Sequence, residues 1–291
     1  MGVHTGRSFN KRNYNNMQTY LTYIFRIFLV YIMTTICTTS FCQQNNVADS
    51  GYFLSFDSTK IYYETHGNGF PVLLVHGFIV NSSSWKHTAL YDSLLAAGNK
   101  IILIDLRGNG KSGKPHNDEA YQHDAEIKDI MILMKHLNIH QYDVVGYSRG
   151  SIITARLLVY DKRIYKAVLG GMGADFTNPD WPRRIQFYHA LTSDTVPSLH
   201  EMVQNVQKAG LDQQALALLQ KHQPSTPKNV LAEIKNKVLV IHGDSDEANG
   251  SADELAAIFP NAEKAVTPGD HNHASATPEF AAAVMAFLRK E

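Results

Sequence analysis

The stretch Tyr142-Asp143-Val144-Val145-Gly146-Tyr147-Ser148-Arg149-Gly150-Ser151-Ile152-Ile153 decides how the chain reads. Tyr142–Val145 is a mostly apolar run of strand length, and Ser151–Tyr160 has a helical pattern. The pentapeptide Gly146–Gly150 lies between them. Its two glycines leave room for a tight strand-to-helix turn that holds Ser148 exposed and strained. The Ser148 hydroxyl then sits at a helix N-terminus, where the dipole and free N–H groups favour negative charge. Two glycines and a serine at this spacing are a modest signal alone. The strand before them and the helix after them make it specific.

The same alternation extends outward. On the N-terminal side, Gly51–Phe56 and Lys60–Thr65 read as a hairpin, Pro71–Val75 as a strand and Trp85–Ala97 as a helix. Lys100–Asp105 follows as a strand and Tyr121–Leu137 as a helix, with Ile127, Ile130, Met131, Met134 and Leu137 on one face. On the C-terminal side, Tyr165–Leu169 reads as a strand. Lys237–Ile241, Ala252–Phe259, Lys264–Val266 and Pro278–Leu288 resume the strand–helix order. The strands are nearly unbroken apolar runs, which implies burial on both faces, as in a parallel sheet covered by helices. The fold class expected is a doubly wound α/β domain with a mostly parallel central sheet. Residues 174–228 interrupt it with five prolines and no strand pattern. Short helices are expected near Pro182–Leu191, Pro197–Ala209 and Asp212–Lys221, forming a small helical cap over the strand ends.

Composition narrows the function classes. The 291 residues are 44% hydrophobic, too apolar for a disordered chain. The formal net charge is zero, without the basic excess of a nucleic-acid binder. Only one long apolar run is present, which argues against a multi-pass membrane protein.

That run belongs to the leader. Residues 1–42 carry Arg7, Lys11, Arg12 and Arg26 and no acid, followed by the apolar Ile27–Cys37 and the small residues Ser40 and Cys42. The order is that of a secretory signal peptide cleaved after Cys42, so the protein is expected to be secreted or periplasmic. The alternative is an N-terminal anchor that borrows Tyr20–Phe25. Translation from Met17 rather than Met1 would give a leader of more usual length. Both cysteines, Cys37 and Cys42, lie in this segment, so the expected mature chain 43–291 has no disulfide and no thiol nucleophile.

A serine needs a base to become a nucleophile. Two loops after later strands supply candidates: His242-Gly243-Asp244-Ser245-Asp246 and Pro268-Gly269-Asp270-His271-Asn272-His273. The chain order Ser148, an Asp, then a His is the order expected for this elbow geometry. A His-x-His pair with an Asp could instead hold a metal, but no third strong ligand lies close in sequence. His76 and His242 precede glycines at strand ends and read as structural. Asp105 and Arg107 read as fasteners of their turn. Trp181, Phe187 and Tyr188 would suit an apolar substrate group, and Trp85 could line a pocket or pack. Arg149 could meet an anionic substrate or, in the preferred reading, salt-bridge at the surface.

These motifs resemble the α/β-hydrolase fold family over nearly all of 50–291. His76-Gly77-Phe78 is similar to its oxyanion segment, and Asp105–Ser112 to the turn after its following strand, with Asn109 where a His is common. Gly146–Gly150 resembles its nucleophile elbow and Gly243–Asp246 its acid loop. His271, seven residues before Pro278-Glu279-Phe280, resembles its catalytic histidine. The resemblance implies a Ser148–His271–Asp246 triad. Asp246 is preferred over Asp244, which would brace the loop, because the family places its acid three residues after the glycine. His271 is preferred over His273. Backbone N–H groups of Phe78 and Arg149 would form the oxyanion hole. The activity expected is carboxylic-ester hydrolysis through an acyl-enzyme, without metal or organic cofactor, on a small-molecule substrate. Lactone, amide or carbon–carbon hydrolysis, cofactor-free perhydrolysis, and a non-catalytic binding or sensor role are the alternatives. Relatives that cleave epoxides or carbon–halogen bonds place an Asp at the elbow, so Ser148 argues against those chemistries.

Overall fold

The computed structural model describes residues 1–2, 48–193 and 195–290. The expected signal peptide, its cleavage point and the alternative anchor therefore lie outside the described residues. Among the described residues no helix is long and apolar enough to cross a membrane.

Eight strands form one sheet: β1 (Asp49–Leu54), β2 (Lys60–His66), β3 (Pro71–Val75), β4 (Lys100–Ile104), β5 (Tyr142–Tyr147), β6 (Ile164–Gly170), β7 (Lys237–Gly243) and β8 (Ala262–Thr267). Their order is β1-β2-β4-β3-β5-β6-β7-β8. β1, β2 and β4 pair antiparallel, and every pair from β4 onward is parallel. The sequence reading of a mostly parallel sheet follows from side chains such as Val72, Leu73, Leu74 and Val75, none of which reaches solvent.

Helices cover both faces. On one side, α1 (Ala89–Ala96) and α9 (Pro278–Arg289) bury Leu90, Leu94, Phe280 and Val284 against Val72, Leu74 and Ile101. On the other, α2 (Ala125–His136), α3 (Arg149–Tyr160) and α8 (Ala252–Ile258) bury Ile130, Ile152, Leu157 and Leu255 against Leu73, Val144 and Val240. Between β6 and β7 the chain is helical: α4 (Pro182–Ser193), α5 (His200–Lys208), α6 (Gln213–Lys221) and α7 (Lys228–Leu231). Leu191, Val206, Leu216 and Leu219 from α4–α6 make a separate core with Ala120 and Tyr121, and Phe78 and Ile79 pack against it. Those two residues follow β3, so this helical layer reaches the C-terminal rim of the sheet.

The helix after the elbow begins at Arg149 rather than Ser151, and Pro197–Leu199 is a 3₁₀ turn ahead of α5; two further differences have a local reason. α2 begins at Ala125 rather than near Tyr121, because His123 and Asp124 adopt left-handed backbone angles that no helix turn accommodates. The expected helix Trp85–Ala97 is divided. Ser82–His87 is a 3₁₀ turn, and Thr88, in extended conformation, caps α1 by accepting from the Tyr91 N–H. Arg107 also does more than fasten its turn. Its fully buried guanidinium grips Asp129 of α2 at 2.7 and 2.6 Å and Asp57 of the β1–β2 turn at 2.9 Å. Asp105 does hold its turn, accepting from Ser82 and from the Lys111 N–H at 2.7 Å.

Candidate active site

The sharp turn between β5 and α3 sets the position of everything else. Ser148 has φ 55° and ψ −124°, a region L-residues rarely adopt. The turn survives because the surrounding chain fixes it. The Ser148 N–H donates to the Gly170 carbonyl at 2.8 Å. The flanking glycines are required by space: a Cβ on Gly146 would lie 2.3 Å from the Gly150 oxygen, and one on Gly150 would lie 2.2 Å from the Val75 oxygen. The elbow is thus wedged against β3 with no side chain between.

Three residues expected to work together are brought together. Ser148 Oγ lies 2.8 Å from His271 Nε2, and His271 Nδ1 lies 2.9 Å from Asp246 Oδ2. The Asp246 side chain is only 3% exposed, while that of His271 is 22% exposed and borders the cavity. Each comes from a loop at the C-terminal end of a parallel strand, where loops meet above the sheet. The His271 loop is pinned by its own backbone, since its carbonyl accepts from the Tyr147 hydroxyl at 2.8 Å.

The two contested pairs separate by their contacts. Asp244 turns away from His271 and braces the loop, accepting from the Gly269 N–H and the Ser245 hydroxyl, both at 3.0 Å. His273 is exposed and pairs with Asp270 at 2.6 Å. His271 and His273 therefore face different partners. Among the described residues no group of three or more His, Cys, Asp or Glu side chains is placed to hold a metal ion.

His76 and His242, each before a glycine, bond to their own strand ends, His242 Nδ1 donating to the Gly243 carbonyl at 2.9 Å. His76 is fully buried, and burial pushes its pKa down, so its ring is neutral. Its Nδ1 donates to the Gly77 carbonyl at 2.8 Å, and Nε2 accepts from the Leu106 N–H at 3.1 Å. That clamp ties the loop after β3 to the loop after β4. A Cβ on Gly77 would lie 3.3 Å from Ser148 Cβ, so the segment carrying Phe78 lies directly beside the serine. Among the described residues no backbone carbonyl accepts from the N–H of Phe78 or of Arg149.

The expectation that Arg149 salt-bridges at the surface is corrected. The residue is 3% exposed, and its guanidinium lies on Glu126 at 2.8 and 2.5 Å. The first turn of α3 faces α2, so a long side chain there has no route to solvent.

Two cavities flank the serine and share Phe78, Ser148, His271 and Asn272. The first, about 210 Å³, is walled by Trp181, Phe187 and Met202 of the helical layer and by Ile152 and Met172. The second, about 290 Å³, runs toward Trp85, Tyr147, Ser275 and Ala276. Trp181 and Phe187 line the site, whereas Tyr188, partly buried, packs against the core of the helical layer. Trp85 is a core residue that borders the second cavity.

Sequence reasoning missed polar residues of the first cavity. Asn249 donates to the Gly171 carbonyl at 3.2 Å, which places its carboxamide nitrogen 3.1 Å from His271 Nδ1. It follows Asp246 by three residues, so the loop itself was the available signal. Arg183, Gln220 and Gln223 also face this cavity. They lie on the helical layer, which carries no spacing rule that marks them.

Comparison with known proteins is consistent with this geometry. Residues 71–201 match a family model described as alpha/beta hydrolase fold. A non-heme haloperoxidase of Rhodococcus erythropolis is 27% identical over 249 residues, covering 73% of this chain and 89% of its own. A non-heme chloroperoxidase of Streptomyces lividans is 30% identical over 139 residues, and the chain spans about half of it, 49%, and 45% of itself. The crystal structure of a bromoperoxidase from Bacillus anthracis superposes with a TM-score of 0.70 at 25% identity, covering 83% of this chain and 100% of that one.

Proposed function

Because the chain belongs to the α/β-hydrolase fold family, we propose that it is a serine hydrolase that cleaves a carboxylic ester of a small molecule through an acyl-enzyme intermediate. The observation that carries this reading is the 2.8 Å approach of Ser148 Oγ to His271 Nε2, with Asp246 behind the ring at 2.9 Å.

In this mechanism Ser148 attacks the ester carbonyl carbon while His271 Nε2 takes the hydroxyl proton. Asp246 holds the Nδ1–H and stabilises the imidazolium that forms. The backbone N–H groups of Phe78 and Arg149 receive the charge that develops on the carbonyl oxygen, an effect worth roughly 3–4 kcal/mol per donor in such sites. His271 then returns the proton to the departing alcohol. Water enters, gives a proton to His271 and attacks the acyl carbon; as the bond to Ser148 Oγ breaks, His271 passes that proton to Oγ and the acid leaves. The two cavities that meet at Ser148 give the acyl and alcohol parts separate places.

A second reading shares every residue with the first. The haloperoxidase names of the relatives favour it. Hydrogen peroxide would replace water in the second step, so the acyl group leaves as a peracid and Ser148 regains its proton. No cofactor is needed in either reading. Export of the enzyme belongs to the same proposal and rests on the basic, acid-free segment 1–42 with its apolar run.

The test is turnover of p-nitrophenyl acetate and butyrate by the wild type and by Ser148→Ala. Loss of turnover in the variant supports the mechanism, and undiminished turnover refutes it. Adding acetate and peroxide, with peracid as the readout, decides between water and peroxide as the second nucleophile.

A further inference from the structure

One cation in the first cavity has no use in the mechanism above. Arg183 lies in the first turn of α4, partly buried, with its guanidinium carbon 5.2 Å above the Phe187 ring. Among the described residues no carboxylate forms an ion pair with it and no carbonyl accepts from it. Burial pulls its pKa below the ordinary guanidinium value, with the Asp246 charge acting in the opposite direction. A guanidinium that loses water and gains no partner is costly, and folded chains rarely leave one so.

The neighbouring cations sharpen the contrast. Arg149 in the same wall is neutralised by Glu126. Arg184 is satisfied, but by the carbonyls of Gln220, Lys221 and Pro179 rather than by an acid. The cavity therefore carries two guanidinium groups that no carboxylate touches, Asp246 acting on Arg183 only from beyond ion-pair distance. Gln220 and Gln223, 4% and 8% exposed, add carboxamide donors to its lining. Such a wall favours an anion.

We propose that Arg183 recognises a carboxylate on the substrate, so that the esters this site takes carry a free carboxylate on the part that fills the first cavity. The planar fork of a guanidinium matches the two oxygens of a carboxylate. A phosphate dianion would call for a second free guanidinium, and that of Arg184 is committed to three carbonyls. Trp181, Phe187 and Met202 would hold the alkyl spacer between carboxylate and ester. The inference names the substrate class for the ester hydrolysis proposed above and rests on that reading.

The experiment measures binding without turnover, so its failure is distinct from failure of the hydrolytic mechanism. Calorimetry with full-length Ser148→Ala protein compares monomethyl adipate and 4-acetoxybutyrate, with the carboxylate on the acyl and the alcohol side, against neutral methyl hexanoate. One of the acidic esters should bind at least roughly tenfold tighter than the neutral one, as expected for a partly desolvated charge pair. The preference should collapse in Ser148→Ala/Arg183→Gln and fall between the two in Ser148→Ala/Arg183→Lys, which keeps the charge but loses the fork. Equal binding of acidic and neutral esters overturns the proposal. So does a preference that survives Arg183→Gln, or stronger binding of an alkyl phosphate than of either carboxylate.

Discussion

The Arg149 guanidinium meets the Glu126 carboxylate through two hydrogen bonds, at 2.8 and 2.5 Å, beneath the turn that presents Ser148. The pair joins the first turn of α3 to the first turn of α2, and both side chains are nearly out of solvent. The guanidinium of the residue after the serine is thus taken up by an acid of this chain.

Removing one member should therefore be worse than removing both. Glu126→Gln or Arg149→Met alone leaves a buried charge unpaired and should cost about 3–5 kcal/mol of stability. The double variant Glu126→Gln/Arg149→Met should recover part of that loss. Urea unfolding of the four proteins measures the coupling. If the single changes cost no more than the double, the pair has no such role.

The acid loop offers two aspartates, and only one reaches the imidazole. Asp246→Asn should lower kcat on the order of 10⁴-fold, because an amide no longer holds the productive tautomer or supports the imidazolium. Asp244→Asn keeps an oxygen for the Gly269 N–H and should retain most activity, with a stability change of about 1 kcal/mol or less. Steady-state rates on one ester compare them. An equal loss in both would mean that the loop, rather than one carboxylate, is what matters.

Asp143 lies inside β5, and burial raises its pKa to about 6, against the smaller opposing effects of the Lys166 N–H and charge. An acid whose folded pKa lies above its unfolded value favours the folded state when protonated. The native protein then binds more protons than the unfolded chain between about pH 4 and 6, so this residue's contribution to stability falls as pH rises through that window and stays lost above it. Asp143→Asn should remove this dependence and add on the order of 2 kcal/mol at pH 8. Chemical unfolding of both proteins at pH 5 and pH 8 measures it, and an unchanged difference between the two pH values would contradict it.

How far the sequence could be read depends on whether a local pattern or a distant contact decides the feature. The parallel sheet was legible because strands buried on both faces must be apolar along their length, as Val72–Val75 and Ile101–Ile104 are. The meeting of Ser148, Asp246 and His271 was legible because the turn at Ser148 needs glycines at fixed places and the other two follow strand ends. The direction of Arg149 was not, since its partner Glu126 is 23 residues away and a charged side chain in a first turn gives no sign of burial. The start of α2 was misread because the apolar period runs unbroken through Tyr121, while the left-handed backbone of His123 and Asp124 leaves no mark in hydropathy. Arg183 was passed over for a similar reason: the helical layer follows no motif, and what singles the residue out is the partner it lacks.

In the proposed mechanism Ser148 is a live nucleophile activated by His271. Intact-mass analysis after reaction with a fluorophosphonate tests it most directly. One adduct is expected on the wild type, mapped to Ser148, absent in Ser148→Ala and slowed severely in His271→Ala. An unlabelled wild type, or an adduct that persists in Ser148→Ala, would contradict it.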